Sequence, residues 1–175
     1  MVRVLEAQRV ARIGLLGNPN TGKSTVFNRL TGLRQRIANY PGITVEERIG
    51  IGKLGGRPVE WIDLPGTYSL AGGSADERVV LDALSARGGR QPLDLLVFVV
   101  DSTNLERNLF LPFQVADFGL PMVIALNQWD IAQKRKLTVD PDALSESLGV
   151  PVVPISGRSG DGFDEFSRTV LDALE

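Results

Sequence analysis

The segment Gly17-Asn18-Pro19-Asn20-Thr21-Gly22-Lys23-Ser24-Thr25 carries the spacing G-x-x-x-x-G-K-[ST]. That spacing suits a loop whose successive backbone N–H groups close around phosphate. Gly17 and Gly22 permit backbone angles that a side chain resists. Lys23 brings a point charge to the outer phosphates, and the Ser24 hydroxyl is placed to bind Mg²⁺. Asn18, Asn20, Thr21 and Thr25 complete the cradle. A helix starting near Gly22 would turn its positive end toward the same phosphates. The flanks agree, since Val10–Leu16 reads as a buried strand and Thr25–Leu30 as a helix. The bland alternative is a Gly/Asn/Pro turn between the two.

Further stretches bear on the same ligand. Asp63-Leu64-Pro65-Gly66 follows a predicted strand; its carboxylate can hold Mg²⁺ through water, and the Gly66 N–H can meet a γ-phosphate. A turn explains that tetrapeptide equally well when it is taken alone. Thr44, in Gly42-Ile43-Thr44, lies in a stretch without periodicity. Its hydroxyl could complete the Mg²⁺ shell only when the γ-phosphate is present, an order–disorder switch, or it could simply open a strand. Asn127-Gln128-Trp129-Asp130 follows an apolar run. A carboxylate at Asp130 can accept from the guanine N1–H and 2-amino group, two donors that adenine lacks. Asn127 would brace the loops. Gln128 stands where this motif usually has Lys, so looser base packing and weaker affinity are expected. Ser156-Gly157-Arg158 offers backbone N–H groups to the guanine O6.

The elements that must position these residues alternate. Strands are expected at Glu46–Leu54, Arg57–Ile62, Leu93–Val100, Pro121–Leu126 and Val150–Ile155, besides the first. Helices are expected at Asp76–Ala86, Leu105–Phe118 with a kink or break at Pro112, Asp140–Leu148 and Phe163–Leu174. Leu33–Thr44 and Leu64–Ala75 read as loops, the second of them mobile, Gly55-Gly56 as a hairpin turn, and Asn104 as a helix cap. Alternation of this kind predicts an open, mostly parallel sheet of six strands with helices on both faces. Sites in such sheets lie beyond the carboxyl ends of the strands, where each motif falls.

The chain has 175 residues, no Cys, no His and a net charge of −2. A thiolate metal site and a histidine base are therefore excluded, and a nucleic-acid binder relying on bulk charge is disfavoured. Phosphoryl transfer, which relies on positioned charge, remains open. Met1–Arg12 lacks a signal peptide's apolar core, and the Leu95–Val100 run is too short for a bilayer; the chain as it stands is expected to be soluble.

The phosphate loop, Asn39-Tyr40-Pro41-Gly42-Ile43-Thr44-Val45-Glu46, Asp63-Leu64-Pro65-Gly66-Thr67-Tyr68-Ser69-Leu70 and Asp101-Ser102-Thr103-Asn104-Leu105-Glu106-Arg107-Asn108-Leu109 together resemble the GTPase domain of the ferrous-iron transporter B family. The resemblance implies a Ras-like α/β fold and a single G domain over residues 1–175. It also implies GTP as substrate, Mg²⁺ as cofactor, and a place on the cytoplasmic face of a bacterial inner membrane. The partners it implies are the helical and transmembrane parts of the same transporter, with no nucleic acid and a possible homo-oligomer. Thr67 stands where many GTPases carry a water-orienting Gln. The resemblance suggests instead that K⁺, held partly by Asn20, supplies the positive charge an arginine finger supplies elsewhere. Lys23, Asn20, Thr44 and Gly66 are thus the expected catalytic groups. Arg34 and Arg36 are the rival cations, and Asp76 and Glu77 are candidates to order the loop after Gly66. Two other readings are an Era/Der-like ribosome-assembly GTPase, which shares the Asn-Pro-Asn loop, and a nucleotide-sensing switch with negligible turnover.

Overall fold

The computed structural model describes residues 9–39 and 45–175. Seven strands form one sheet in the order β2-β3-β4-β1-β5-β6-β7. In chain order these are β1 (Ala11–Leu16), β2 (Gln35–Asn39), β3 (Glu46–Leu54), β4 (Arg57–Asp63), β5 (Leu95–Asp101), β6 (Met122–Asn127) and β7 (Val152–Pro154). β3 runs antiparallel to both neighbours, and the other pairings are parallel. The helices are α1 (Lys23–Thr31), α2 (Ala75–Leu84), α3 (Leu105–Asn108), α4 (Phe110–Ala116), α5 (Trp129–Lys134), α6 (Pro141–Leu148) and α7 (Phe163–Ala173). Among the described residues no helix is long and apolar enough to cross a membrane.

β5 is buried along nearly its whole length, as its unbroken apolar sequence requires of a parallel strand covered on both faces. Two apolar layers result. Val26 and Phe27 of α1 and Phe166 and Val170 of α7 pack with Ile13, Trp61 and Val97 on one face. Val80 of α2 and Leu111 and Val115 of α4 pack with Ile62, Phe98 and Ile124 on the other.

Local chemistry sets most boundaries. Gly32 and Gly149 end α1 and α6 in the left-handed conformation. The Asp140 carboxylate accepts from the N–H groups of Asp142 and Ala143, with Pro141 in the first turn. Ser74 and Glu77 form a reciprocal capping box on α2. Pro112 divides the expected Leu105–Phe118 helix into α3 and α4, since its ring has no N–H to bond Asn108, four residues back. The Asn104 side chain makes no cap; its carbonyl accepts from the Asn108 side chain instead (2.8 Å).

The strand count also differs from expectation. The sheet has seven strands rather than six, because Gln35–Asn39, within the stretch read as a loop, pairs antiparallel with β3. β2 is an edge strand exposed at nearly every position, so it carries no alternating pattern to read.

Gly50 and Gly52 lie where α1 crosses β3. A Cβ on Gly52 would collide with the Leu30 carbonyl and sit 2.8 Å from Trp61 Nε1. Gly52→Ala is accordingly expected to destabilise the fold by about 1–3 kcal/mol, the usual range for overpacking. Equilibrium denaturant unfolding measures this as a lowered midpoint at unchanged slope; an unmoved midpoint would mean that α1 can lift off β3 without cost.

Candidate functional site

The parallel strands deliver the motif residues to one edge of the sheet. β1 ends directly before Gly17, β4 ends at Asp63, and β6 ends at Asn127. Gly22 adopts φ +84° as the cap of α1, the conformation expected of a glycine there. Gly17 is needed for space instead, because a Cβ there would strike the Val99 carbonyl. The non-glycine residue that takes a positive φ in the loop is Asn20, at 67°.

Lys23 Nζ is ion-paired with Asp63 Oδ1, both side chains being about nine-tenths buried. Loop and carboxylate are therefore already in contact. The segment after Asp63 lies on the phosphate loop, with Thr67 N–H donating to the Gly17 carbonyl (3.2 Å). The Thr67 hydroxyl donates to Ser69 O (2.7 Å), so it is committed to its own turn. Leu70 N–H donates to Gln114 Oε1 of α4 (3.1 Å), and Glu77 caps α2.

Two grooves meet at Gly22 and Thr25. The first, of about 340 Å³, is lined by Asn18, Asn20, Lys23, Ser24 and Gly66. The second, of about 320 Å³, is lined by Asn127, Gln128, Asp130, Gly157 and Arg158. Asn127 is buried at the junction. Its Nδ2 donates to the Thr21 carbonyl (2.8 Å), and its Oδ1 accepts from Gly157 N–H (2.8 Å). The Asp130 carboxylate is oriented by Ser156, whose hydroxyl accepts from Asp130 N–H (3.2 Å) and donates to Asp130 Oδ1 (3.0 Å). Gln128 takes φ +60° at the start of α5.

The base-end loop differs from expectation in which N–H groups it leaves open. Ser156 N–H donates to the Asp161 carbonyl (3.0 Å), and Gly157 N–H is taken by Asn127. The Arg158 N–H has no partner among the described residues. Arg36, one rival cation, pairs with Glu60 (3.5 Å). By strand alternation Glu60 lies on the face of β4 opposite Trp61 and Asp63, away from Lys23. Arg34 lines the same exposed hollow as Arg36 and Glu60. Gly42 and Thr44 lie outside the described residues.

Reading residues one at a time missed two contributors. Ser156, expected to offer its backbone N–H, acts on Asp130 through its side chain instead. Arg29 of α1 donates to the Gly157 and Arg158 carbonyls (2.8 and 2.9 Å). The spacing of the motifs signals neither.

The model of the family described as "Ferrous iron transport protein B" matches residues 11–170. The Fe(2+) transport protein A/Fe(2+) transporter FeoB fusion protein of Porphyromonas gingivalis is 46% identical over 95% of this chain and 19% of that protein. The Fe(2+) transporter FeoB of Salmonella typhimurium is 46% identical over 90% of this chain and 20% of that protein. This chain thus spans about a fifth of these relatives. The cytosolic domain of the T. maritima FeoB iron transporter in its GMPPNP form superposes with a TM-score of 0.89 at 36% identity, over 95% of this chain and 64% of that one. Its GDP form I gives 0.88 with the same identity and coverage.

Truncating Asn127 to Ala would leave the Thr21 carbonyl and the Gly157 N–H unpaired in a buried position. Each such loss costs about 1–3 kcal/mol, so Asn127→Ala is expected to destabilise the chain by about 2–6 kcal/mol. Denaturant unfolding measures it. A change under about 0.5 kcal/mol would show that water replaces both bonds and that the junction is not held by this side chain.

Proposed function

Because the chain belongs to the ferrous iron transport protein B family, we propose that it is the G domain of a ferrous-iron transporter, binding GTP and hydrolysing it to GDP and phosphate. In this reading it works at the cytoplasmic face of a bacterial inner membrane, and its nucleotide state regulates or gates iron passage through membrane-spanning parts of the same protein. The observation that carries the reading is the continuity of the two grooves across Gly22 and Thr25. One offers a lysine, hydroxyls and a helix start to phosphates; the other offers a carboxylate to a base. The GDP and GMPPNP forms of the T. maritima cytosolic domain support it.

The mechanism follows from placed charge. Gly17 and Gly22 give backbone N–H groups room to approach the phosphates, while the start of α1 adds its positive end. Lys23 is held ready by Asp63, so a phosphate chain entering the groove competes for a lysine that is already oriented. Gly66, which lines the same groove, would present its N–H to the γ-phosphate. The oxygens of Ser24 and Asp63, with Thr44, suit Mg²⁺, which takes few protein ligands beside phosphate and water and would neutralise charge between the β- and γ-phosphates. Asn20 lies exposed in the groove with no hydrogen-bond partner for its side chain among the described residues. Its amide oxygen suits K⁺, which would supply positive charge on the flank opposite Lys23. Asp130, fixed by Ser156, selects guanine. Hydrolysis on this basis is slow and stimulated by K⁺. Contacts with nucleic acid are not part of the reading, and self-association remains compatible with it.

Calorimetric titration with GTP and ATP tests the base assignment: GTP binds and ATP does not, and equal affinities sink it. Lys23→Ala should cost about ten- to a hundredfold in nucleotide affinity, the worth of hydrogen bonds to a charged group. Asp130→Asn should transfer preference from guanosine to xanthosine nucleotides, because a carboxamide can donate to the xanthine 2-oxo group.

Phosphate release measured in K⁺ and in Na⁺ buffers tests the cation. K⁺ should raise the hydrolysis rate well above that in Na⁺, and Asn20→Ala should remove the difference while changing GDP affinity much less. Equal rates in the two salts would overturn this part of the reading, as would a collapse in Arg36→Ala but not in Asn20→Ala.

A further inference from the structure

Arg29 is a solvent-exposed residue in the last turn of α1, six positions after Lys23, hence about 9 Å farther along the helix. It would pass for an ordinary surface charge. Its guanidinium is nevertheless fully directed. Nε donates to the Gly157 carbonyl at 2.8 Å and Nη2 to the Arg158 carbonyl at 2.9 Å. The guanidinium carbon also lies 5.5 Å from the Phe163 ring centroid, within cation–π range. Gly160 passes so close that a Cβ there would sit 2.7 Å from Nη1. The helix that begins in the phosphate loop thus also grips the base-end loop.

That grip determines where one donor points. The Gly157 carbonyl and the Arg158 N–H belong to one planar trans peptide unit and face opposite ways. Holding the carbonyl toward α1 turns the N–H away from α1. On the other side of Gly157, its own N–H is held by Asn127 Oδ1. Two successive peptide planes are therefore set from both sides, and the Arg158 N–H is the one backbone donor of the three-residue loop left without a partner among the described residues. Arg158 lines the same groove as Asp130.

We propose that Arg29 is a positioning residue for base recognition: by fixing the Gly157 and Arg158 carbonyls it aims the Arg158 N–H at the six-oxo group of a bound guanine, and so sets how long the nucleotide stays. The inference rests on the guanine-nucleotide reading given above. Asp130 reads the N1–H and 2-amino edge, and Arg158 N–H reads the oxygen beside it. Arg29 itself lines neither groove.

The test compares GDP with 6-thio-GDP on the 175-residue chain, in wild type, Arg29→Ala and Arg29→Lys. The thio analogue keeps both donors that Asp130 reads and replaces only the oxygen by a weaker acceptor. Arg29→Ala should weaken GDP binding about five- to tenfold, the worth of one hydrogen bond of this kind, mostly as faster release in stopped flow. Its effect on 6-thio-GDP should be about twofold or less, the remaining acceptor being weak. Arg29→Lys, which keeps one donor, should fall between. Equal losses for the two nucleotides would mean that Arg29 only supports the loop, and would overturn the proposal. So would GDP release unchanged across the Arg29 series in a wild type that prefers GDP to ADP. A wild type that binds GDP no better than ADP would overturn the guanine reading itself, and this inference with it.

Discussion

Asn127 spends both ends of one buried amide on two loops that are far apart in sequence. Its Nδ2 holds the carbonyl of Thr21 and its Oδ1 holds the N–H of Gly157, each at 2.8 Å. A buried amide can be this economical only if nothing crowds it, and a side chain on Gly22 would collide with Nδ2. The phosphate loop and the base-end loop are therefore tied at a separation determined by a residue at the end of β6. Neither loop has to be stiff in itself. Because unpaired buried polar groups are costly, any rearrangement that separates the loops must break one of these buried bonds.

The same economy appears on the charged side of the site. A chain with no His and no Cys has to work with lysine, carboxylate and backbone dipoles, and these are useful only where water is partly excluded. Lys23 and Asp63 meet that condition, both largely buried and paired with one another. A largely buried lysine alone would bear its desolvation cost without compensation. The pairing keeps the charge in place, and the sheet supplies the geometry, since α1 and β4 approach on the face that carries Trp61. Arg34 and Arg36 lack that advantage. Arg34 lies just before the exposed edge strand and Arg36 within it, and Arg36 is held by Glu60 on the other face.

Most of this was legible in the sequence where a local rule applies. Continuous apolar runs marked β1, β5 and β6, and the stop signals at Gly32 and Gly149, the cap at Asp140-Pro141 and the interruption at Pro112 acted as their chemistry demands. β2 was not legible. Gln-Arg-Ile-Ala-Asn buries almost nothing, so its extended form comes from the ladder with β3 rather than from its own pattern. The six-residue helix α5 escaped for a related reason, being too short to show a period and entered through Gln128 at positive φ. In the site, motif spacing located the loops but did not say which backbone donors would remain open. Ser156 and Gly157 lose theirs to Asp161 and Asn127, partners that only the folded loop reveals. Arg29 was invisible because both of its acceptors are backbone carbonyls more than a hundred residues away.

α1 is where these constraints converge. Its N-terminal end carries Lys23 and Ser24, its exposed flank grips the base-end loop through Arg29, and its C-terminal turn is seated on β3 where Gly50 and Gly52 leave room. A rigid helix anchored at three places cannot tilt to favour one end of a ligand without disturbing the other. Adjustment to a third phosphate must then come from segments that α1 does not hold. The stretch from Leu64 to Ser74 is one. It touches the phosphate loop through the Thr67 N–H, and α4 through the Leu70 N–H and the Ser69 hydroxyl, which accepts from Gln114 Nε2, hydrogen bonds worth about 1 kcal/mol each. Opening the Asn127 junction instead leaves a buried amide group without its partner. On the proposed guanine-nucleotide reading, the architecture separates a part that would recognise the nucleotide from a part that would report its length, with the boundary between Asp63 and Gly66.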